Sequence, residues 1–397
     1  MARAWQTPAW AGGPFVLAAL RARRLLRAAA GACGVARAGH PAPHPAAERT
    51  PPAVTPSPRT LTVHGVGDLL AFVATRLGYH PAESLAVVGL RGHAGTGHPL
   101  VGYTVLFDLP PDRGYLADSA LFVEPVAAVF DRYQQDGVIL LGYGPGTRVT
   151  PVIDAVRAVT AVRGIAVHDA VRVEAGRYWS YQCDGPGCCP PEGRPYDLSS
   201  SAITAAAVVD GVRVLPSRRD LADTLAPQSG PAAAAMRAAT DEARRWMTAL
   251  SCHAVAGQGR PAGAAVVDLA VEMVTVAVEA YQQGGRASDR RAARITVLLG
   301  DTRARNAVVA LIARAGDHLD GHLALWTDLT RRAEANRAAC ATLLAVTTWS
   351  AGNTVRGIIA AEQALAADPD YTLAALVLTA LRSGAPARIL RQILDQG

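Results

Sequence analysis

The sequence has 397 residues, is 50% hydrophobic, 18% charged and only 5% aromatic, and carries a formal net charge of +6 with no lysine among its 39 basic residues. The missing lysine excludes a Walker-type P-loop nucleotide site, a pyridoxal phosphate (PLP) Schiff base and a protein kinase, since each needs a lysine at phosphate or cofactor. The length allows two domains, each able to bury a full core.

Residues 1–58 hold seven arginines against one acid, Glu48, and so carry the whole net charge; the remaining 32 arginines face 32 acids. Binding to nucleic acid needs a basic face on the folded part, so this balance argues against such a partner. The segment ends in HPAPHPAAERTPPAVTPSP, a proline and alanine tract that cannot build a core, and reads as a disordered basic extension.

Residues 59–228 alternate between two patterns. Four short apolar runs, Ser84 to Leu90, Val101 to Leu109, Gly137 to Tyr143 and Ile165 to Ala170, read as strands buried on both faces. Helical stretches lie between them: Gly67 to Leu77, about Leu116 to Gln135, and Val149 to Val162 with Thr147 as its N-cap. A further strand over Val212 to Leu215 and a helix from Ser217 to Leu225 complete the pattern. The alternation predicts a three-layer α/β domain with a mostly parallel sheet.

Residues 229–397 show no strand signal. Alanine-rich segments with apolar residues three and four apart predict an all-α domain of about seven to nine helices. The most apolar of them, Ala264 to Tyr281, carries Asp268, Glu272 and Glu279 at helical spacing, which makes it amphipathic, so no membrane span is expected. In AAEQALAADPDY, residues Ala364, Leu365, Pro369 and Tyr371 stand as they do where the second helix of a tetratricopeptide hairpin ends, and Gly352 and Gly357 fall at small positions of that pattern. One such hairpin is expected, without an array. Six cysteines in so long a chain make no disulfide framework and point to a reducing cytoplasm.

The most chemically distinctive stretch is GRYWSYQCDGPGCCPPEGRPYD, residues 176–197. On a strand, Arg177, Trp179 and Tyr181 face one way and Tyr178, Ser180 and Gln182 the other. Arg177, Tyr178, Trp179, Glu192 and Tyr196 are candidate ligand contacts. Cys183, Cys188 and Cys189 are candidate metal ligands, with His80, His168 or Glu192 to supply a fourth donor, beside the plainer reading of a reduced structural loop. Gly142, Gly144 and Gly146 in LLGYGPGTR lie where a strand gives way to a helix; they suit either an anion cradle or, more simply, a tight turn at Pro145. Asp108 and Asp169 close two strands and form an acid and base pair only if those strands are neighbours. His318 and His322 lack the glutamate of a zinc-binding helix and are expected to face solvent. So are the arginine doublets at 218–219, 244–245, 290–291 and 331–332.

Taken in order, LTVHGVGDLLAFVATRLGYHPAESLAVVGLRG, VILLGYGP, DAVRVEAGRYWSYQCDGPGCCPPEGRPYD, HLALWTDLTRRA and ALAADPDYTLAALVLTAL resemble the actinobacterial domain-of-unknown-function family 4192 from about Leu61 to Leu390. Its pattern falls on Gly78, His80, Pro81, Ser84 and Leu85, then on Tyr178, Trp179, Ser180, the three loop cysteines, Pro190, Glu192, Gly193 and Tyr196. Further matches are Leu325, Trp326, Arg331 and Arg332, and then Ala364, Leu365, Asp368, Pro369 and Tyr371. The resemblance implies organisation and source but no activity. The expectation is therefore an uncharacterised cytoplasmic protein acting as a binding or scaffold module, with a protein partner on the helical domain. The alternative is a hydrolytic or metal-assisted enzyme at the strand ends and the 176–197 loop, holding His80, Asp108, Gly142 and Gly144.

Overall fold

A computed structural model of the chain describes residues 62–92, 100–110, 119–183, 189–209, 211–256 and 262–395. The basic extension and Cys188 lie outside the described residues. The chain divides after Leu221 into two compact units.

The first unit begins with α1 (Val66–Leu77), which stops at Gly78 in the left-handed region (φ 80°), where the Gly78 amide closes onto the Ala74 carbonyl. Four strands follow the expected runs: β1 (Ser84–Arg91), β2 (Leu100–Asp108), β3 (Gly137–Tyr143) and β4 (Ala166–Glu174). Between and after them come α2 (Ser119–Arg132), α3 (Gly146–Val162), β5 (Arg177–Ser180), β6 (Arg194–Pro195), α4 (Ala202–Val209) and α5 (Arg218–Asp223).

The six strands lie in the order β2-β1-β3-β4-β5-β6. Only β3 and β4 are parallel, so the sheet is mixed, against the expectation of a mostly parallel one. The connections decide this. The short link from Arg91 to Leu100 leaves no room for a crossover, and β4 meets β5 through a two-residue turn, Ala175-Gly176, with both φ angles positive. Of the consecutive strands that pair with each other, only β3 and β4 are joined through a helix, α3. The Val212 to Leu215 run forms no strand and contributes one bridge, Leu215 to Tyr79.

Leu85 and Val87 of β1, Val138 and Leu140 of β3 and Ala170 of β4 pack with Phe122, Val126 and Phe130 of α2 and Val149, Val152, Ile153 and Val156 of α3. The alternate set, Ala86, Val88, Leu141, Val171 and Val173, is equally buried, which is why these runs read as continuous rather than alternating. Gly142 sits on the α3 side, where a side chain would run into Val149, so this glycine lets helix and strand close up. Gly146 opens α3 against Arg172, with Pro145 as N-cap; Thr147, expected in that role, lies inside the first turn.

The second unit is helical throughout its described residues: α6 (Gly230–Ala256), α7 (Ala262–Gln282), α8 (Asp289–Leu298), α9 (Thr302–Arg314), α10 (Asp320–Arg332), α11 (Arg337–Ser350), α12 (Thr354–Ala367), α13 (Thr372–Arg382) and α14 (Arg388–Asp395). Ser288, Asp301 and Asn353 cap α8, α9 and α12 with their side-chain oxygens. In α11 every residue from Ala338 to Trp349 is buried, marking the central helix of the unit. Ala338 and Ala341 meet Ala364 of α12 and Ala374 of α13 there. Among the described residues no helix is long and apolar enough to cross a membrane.

Two solvent-facing expectations fail on α10. Arg331 is exposed but Arg332 is buried, and His318 is exposed but His322 is buried. Both buried residues share the helix face of Leu325, Trp326 and Leu329. At Gly321 a side chain would press on the Val278 carbonyl of α7, so this glycine brings the helices together around His322.

Candidate functional site

Antiparallel pairing brings the start of β1, the end of β2 and the ends of β3 and β4 to one edge of the sheet. One register row there runs Asp108, Ser84, Tyr143, Val173, Tyr178, Arg194. Against this row lies a cleft of about 300 Å³, lined by Leu70 and Ala74 of α1, residues 80–83, Tyr143, Gly144, Pro145, residues 173–175, Tyr196 and Leu198. Crevices beyond the carboxyl ends of parallel strands are where open α/β sheets hold ligands.

Each rim residue has a local cause. The His80 amide donates to the Leu215 carbonyl at 3.0 Å, and the Leu215 amide donates to the Gly78 carbonyl at 2.9 Å, which fixes the loop after α1. Glu83 is held at φ 47°, a left-handed conformation costing a side-chain-bearing residue roughly 1–2 kcal/mol. It is held by an ion pair with Arg148 and by its carbonyl, which accepts from the Leu109 amide. Arg148 also donates to the Pro110 carbonyl at 2.8 Å and so ties the end of β2 to α3. Gly144, at φ 141°, faces Glu83 closely enough that a side chain would crowd its carboxylate. Of the described non-glycine residues with positive φ, Glu83, Ala175 and Asn336, the first two line this cleft.

Of the expected contacts, His80, Gly144 and Tyr196 line the cleft, and Gly142 lies one residue before its wall. Asp108 stands at the same sheet edge on the outermost strand. It does not meet Asp169: β1 and β3 intervene, and Asp169 pairs with Ile139, four residues along β3 from Tyr143. Asp169 instead accepts from the Ser180 hydroxyl at 3.0 Å and the Ala170 amide at 2.8 Å.

The aromatic loop is a strap. Arg177 donates to the Glu192 carbonyl at 2.7 Å and Trp179 to the Pro191 carbonyl at 2.9 Å, while the Glu192 side chain is exposed. Arg172 stacks over the Trp179 ring, 3.6 Å from its centroid. Gly193, at φ 77°, lies against the same ring, leaving no space for a side chain. The strap thus carries Tyr196 to the cleft. Tyr178 shares its sheet face with Val173 but not the cleft lining. We expect Gly193→Ala to lose about 2 kcal/mol in urea denaturation, through its positive φ and the displaced indole; an unchanged midpoint would refute the strap.

Cys183 follows Gln182, whose side chain donates to the Val167 carbonyl. Val167 pairs with Val138, five residues up β3 from Tyr143, about 17 Å at the usual strand rise. Cys183 therefore leaves the sheet at the edge away from the cleft. Cys183 and Cys189 are half-buried. Among the described residues no three His, Cys, Asp or Glu side chains are placed to hold a metal ion.

Tyr143 itself escaped the sequence reading. It is 6% exposed, and its hydroxyl has no hydrogen-bond partner. Burial, then the nearby Tyr196 phenol, push its pKa far above the ordinary tyrosine value. Burial raises Tyr196 as well.

Compared with known proteins, the chain matches the family described as Domain of unknown function (DUF4192) over residues 67–388. No curated protein matches it, and no solved structure does.

Proposed function

We propose that the chain, which belongs to the DUF4192 family, is a binding module whose α/β unit takes a small molecule in the cleft at the ends of β3 and β4. The observation that carries this reading is the cleft itself: an apolar floor of Leu70, Ala74, Val173 and Leu198 ringed by His80, Tyr143 and Tyr196, with strained backbone at Glu83 and Ala175. The acid pair that an enzyme at this site was expected to use is divided between distant strands, which favours binding over hydrolysis. In this reading α1 and α4 form one layer, the sheet a second, and α2 and α3 a third. The α11–α12 pair is a tetratricopeptide-like hairpin that serves a protein partner, and the protein works in the cytoplasm.

The test is a ligand-observed NMR screen of a fragment library against the full chain and an Ala82→Trp variant, since Ala82 is exposed on the cleft wall. Hits lost in the variant support the reading. An empty screen, or hits indifferent to the tryptophan, would overturn it.

A further inference from the structure

We infer that β2 is an interaction edge whose occupant is a second copy of this chain, the two β2 strands pairing antiparallel about Leu106 to join two six-stranded sheets into one. Among the described residues β2 is the last strand on its side of the sheet. The Leu109 amide donates to the Glu83 carbonyl at 2.9 Å, which marks those two as a hydrogen-bonded pair. Counting back along the register, Phe107–Leu85, Val105–Val87 and Tyr103–Gly89 are hydrogen-bonded pairs too, so Thr104, Leu106 and Asp108 turn their amides and carbonyls away from β1. The strand is already formed: Phe107 packs on Phe122 of α2 and Tyr103 stacks on Tyr133 just after it, with ring centroids 6.2 Å and 4.7 Å apart. Pairing with it therefore costs little ordering.

Natural sheets guard such an edge with charge, proline or a bulge. From Leu100 to Phe107 β2 has neither charge nor proline, and its register shift, opposite Gly89 and Leu90, leaves Tyr103 to Asp108 regular. The other edge of the sheet is guarded, since β6 is two residues long and ends in Pro195. With one open edge per copy, pairing stops at two and closes as a two-fold dimer. The strand also complements itself. Turned about Leu106, it sets Leu106 against Leu106, Val105 against Phe107 and Thr104 against Asp108 of the other copy, apolar on apolar and polar on polar. The three outward residues then face three outward residues, and each facing pair exchanges two hydrogen bonds. The two Asp108 carboxylates stand four residues apart along the strands, about 13 Å, so like charges do not meet.

Sedimentation equilibrium of the full chain over a dilution series tests this. The mass should rise to twice the 41.3 kDa of one chain, with a dissociation constant of roughly micromolar order. Leu106 is half-buried on the open strand, so its replacement leaves the β1–β2 ladder intact. Leu106→Lys sets two ammonium groups face to face and should weaken the dimer about tenfold to a hundredfold. Leu106→Glu should do the same with two carboxylates, and an equimolar mixture of the variants should recover the dimer, a rescue that loss of folding cannot give. Amide hydrogen exchange on the unmodified chain gives a reading free of any variant. The Leu106 and Asp108 amides should exchange at least about tenfold more slowly at high protein concentration than at low, while that of Phe107, already bonded to β1, stays unchanged. A chain that remains monomeric, a dimer indifferent to Leu106→Lys, folded variants that do not rescue each other, or exchange independent of concentration each overturns the inference.

Discussion

Replacing Asp328 by alanine should lower the unfolding free energy by about 3–5 kcal/mol, the usual cost of stripping the partner from a buried charge. That is a large part of the roughly 5–15 kcal/mol that holds a domain together. Arg332 has a side chain only 2% exposed, and it donates to Asp328 at 2.7 Å, to Asp289 at 2.5 Å and to the Ala287 carbonyl at 2.9 Å. Asp328 also receives Arg286 at 2.7 Å and the Tyr281 hydroxyl. Burial pushes its pKa up, but the hydrogen bonds from Arg286, Tyr281 and Arg332 outweigh this and hold the carboxyl below its ordinary range. Removing it leaves the guanidinium buried with one remaining carboxylate, Asp289, whose side chain is half exposed. Asp289→Ala should therefore cost about 1 kcal/mol, as a partly solvated pair does. Urea midpoints of the two variants, compared at equal slope, test the difference; equal losses would mean that Asp328 is not the anchor of Arg332.

That cluster shows what the sequence hid. Arg331 and Arg332 are identical as letters, and only their phase on α10 separates the exposed residue from the buried one. The clue was present in Asp328, four residues before Arg332, a spacing that joins opposite charges on a helix. The strands β1, β3 and β4 were legible because apolar runs bounded by glycine or charge have few other uses. Their directions were not, because a strand covered on both faces looks the same whether its neighbour is parallel or antiparallel; only the lengths of the connections distinguish the two. The site was half legible. His80, Gly144 and Tyr196 stand out as polar or conformationally special residues at loop positions. Tyr143 looked like the last apolar residue of a strand, and no local pattern reveals that its hydroxyl will be buried without a partner. The cysteines drew the eye by their rarity, yet Cys183 leaves the sheet at the edge away from the cleft.

His322 should make the protein acid-labile well before its carboxylates do. It is 3% exposed, its Nδ1 has no partner, and burial lowers its pKa from the ordinary 6.5 to about 4. The unfolded chain therefore takes up a proton as pH falls through 6.5, while the folded protein stays neutral until about pH 4. Between those values the unfolded state binds more protons, so stability decreases as the pH is lowered; it is fully present above 6.5 and is lost progressively down to 4. The loss is about 2 kcal/mol by pH 5 and up to about 3 kcal/mol by pH 4. His322→Leu keeps the apolar contacts with the α10 face and cannot titrate. Its unfolding free energy should be nearly flat from pH 8 to pH 5, where the wild type drops. Carboxylates contribute equally to both proteins, so the difference between the two curves isolates the imidazole. Parallel curves across that range would mean that His322 is protonated in the folded state and that its pocket is open to water.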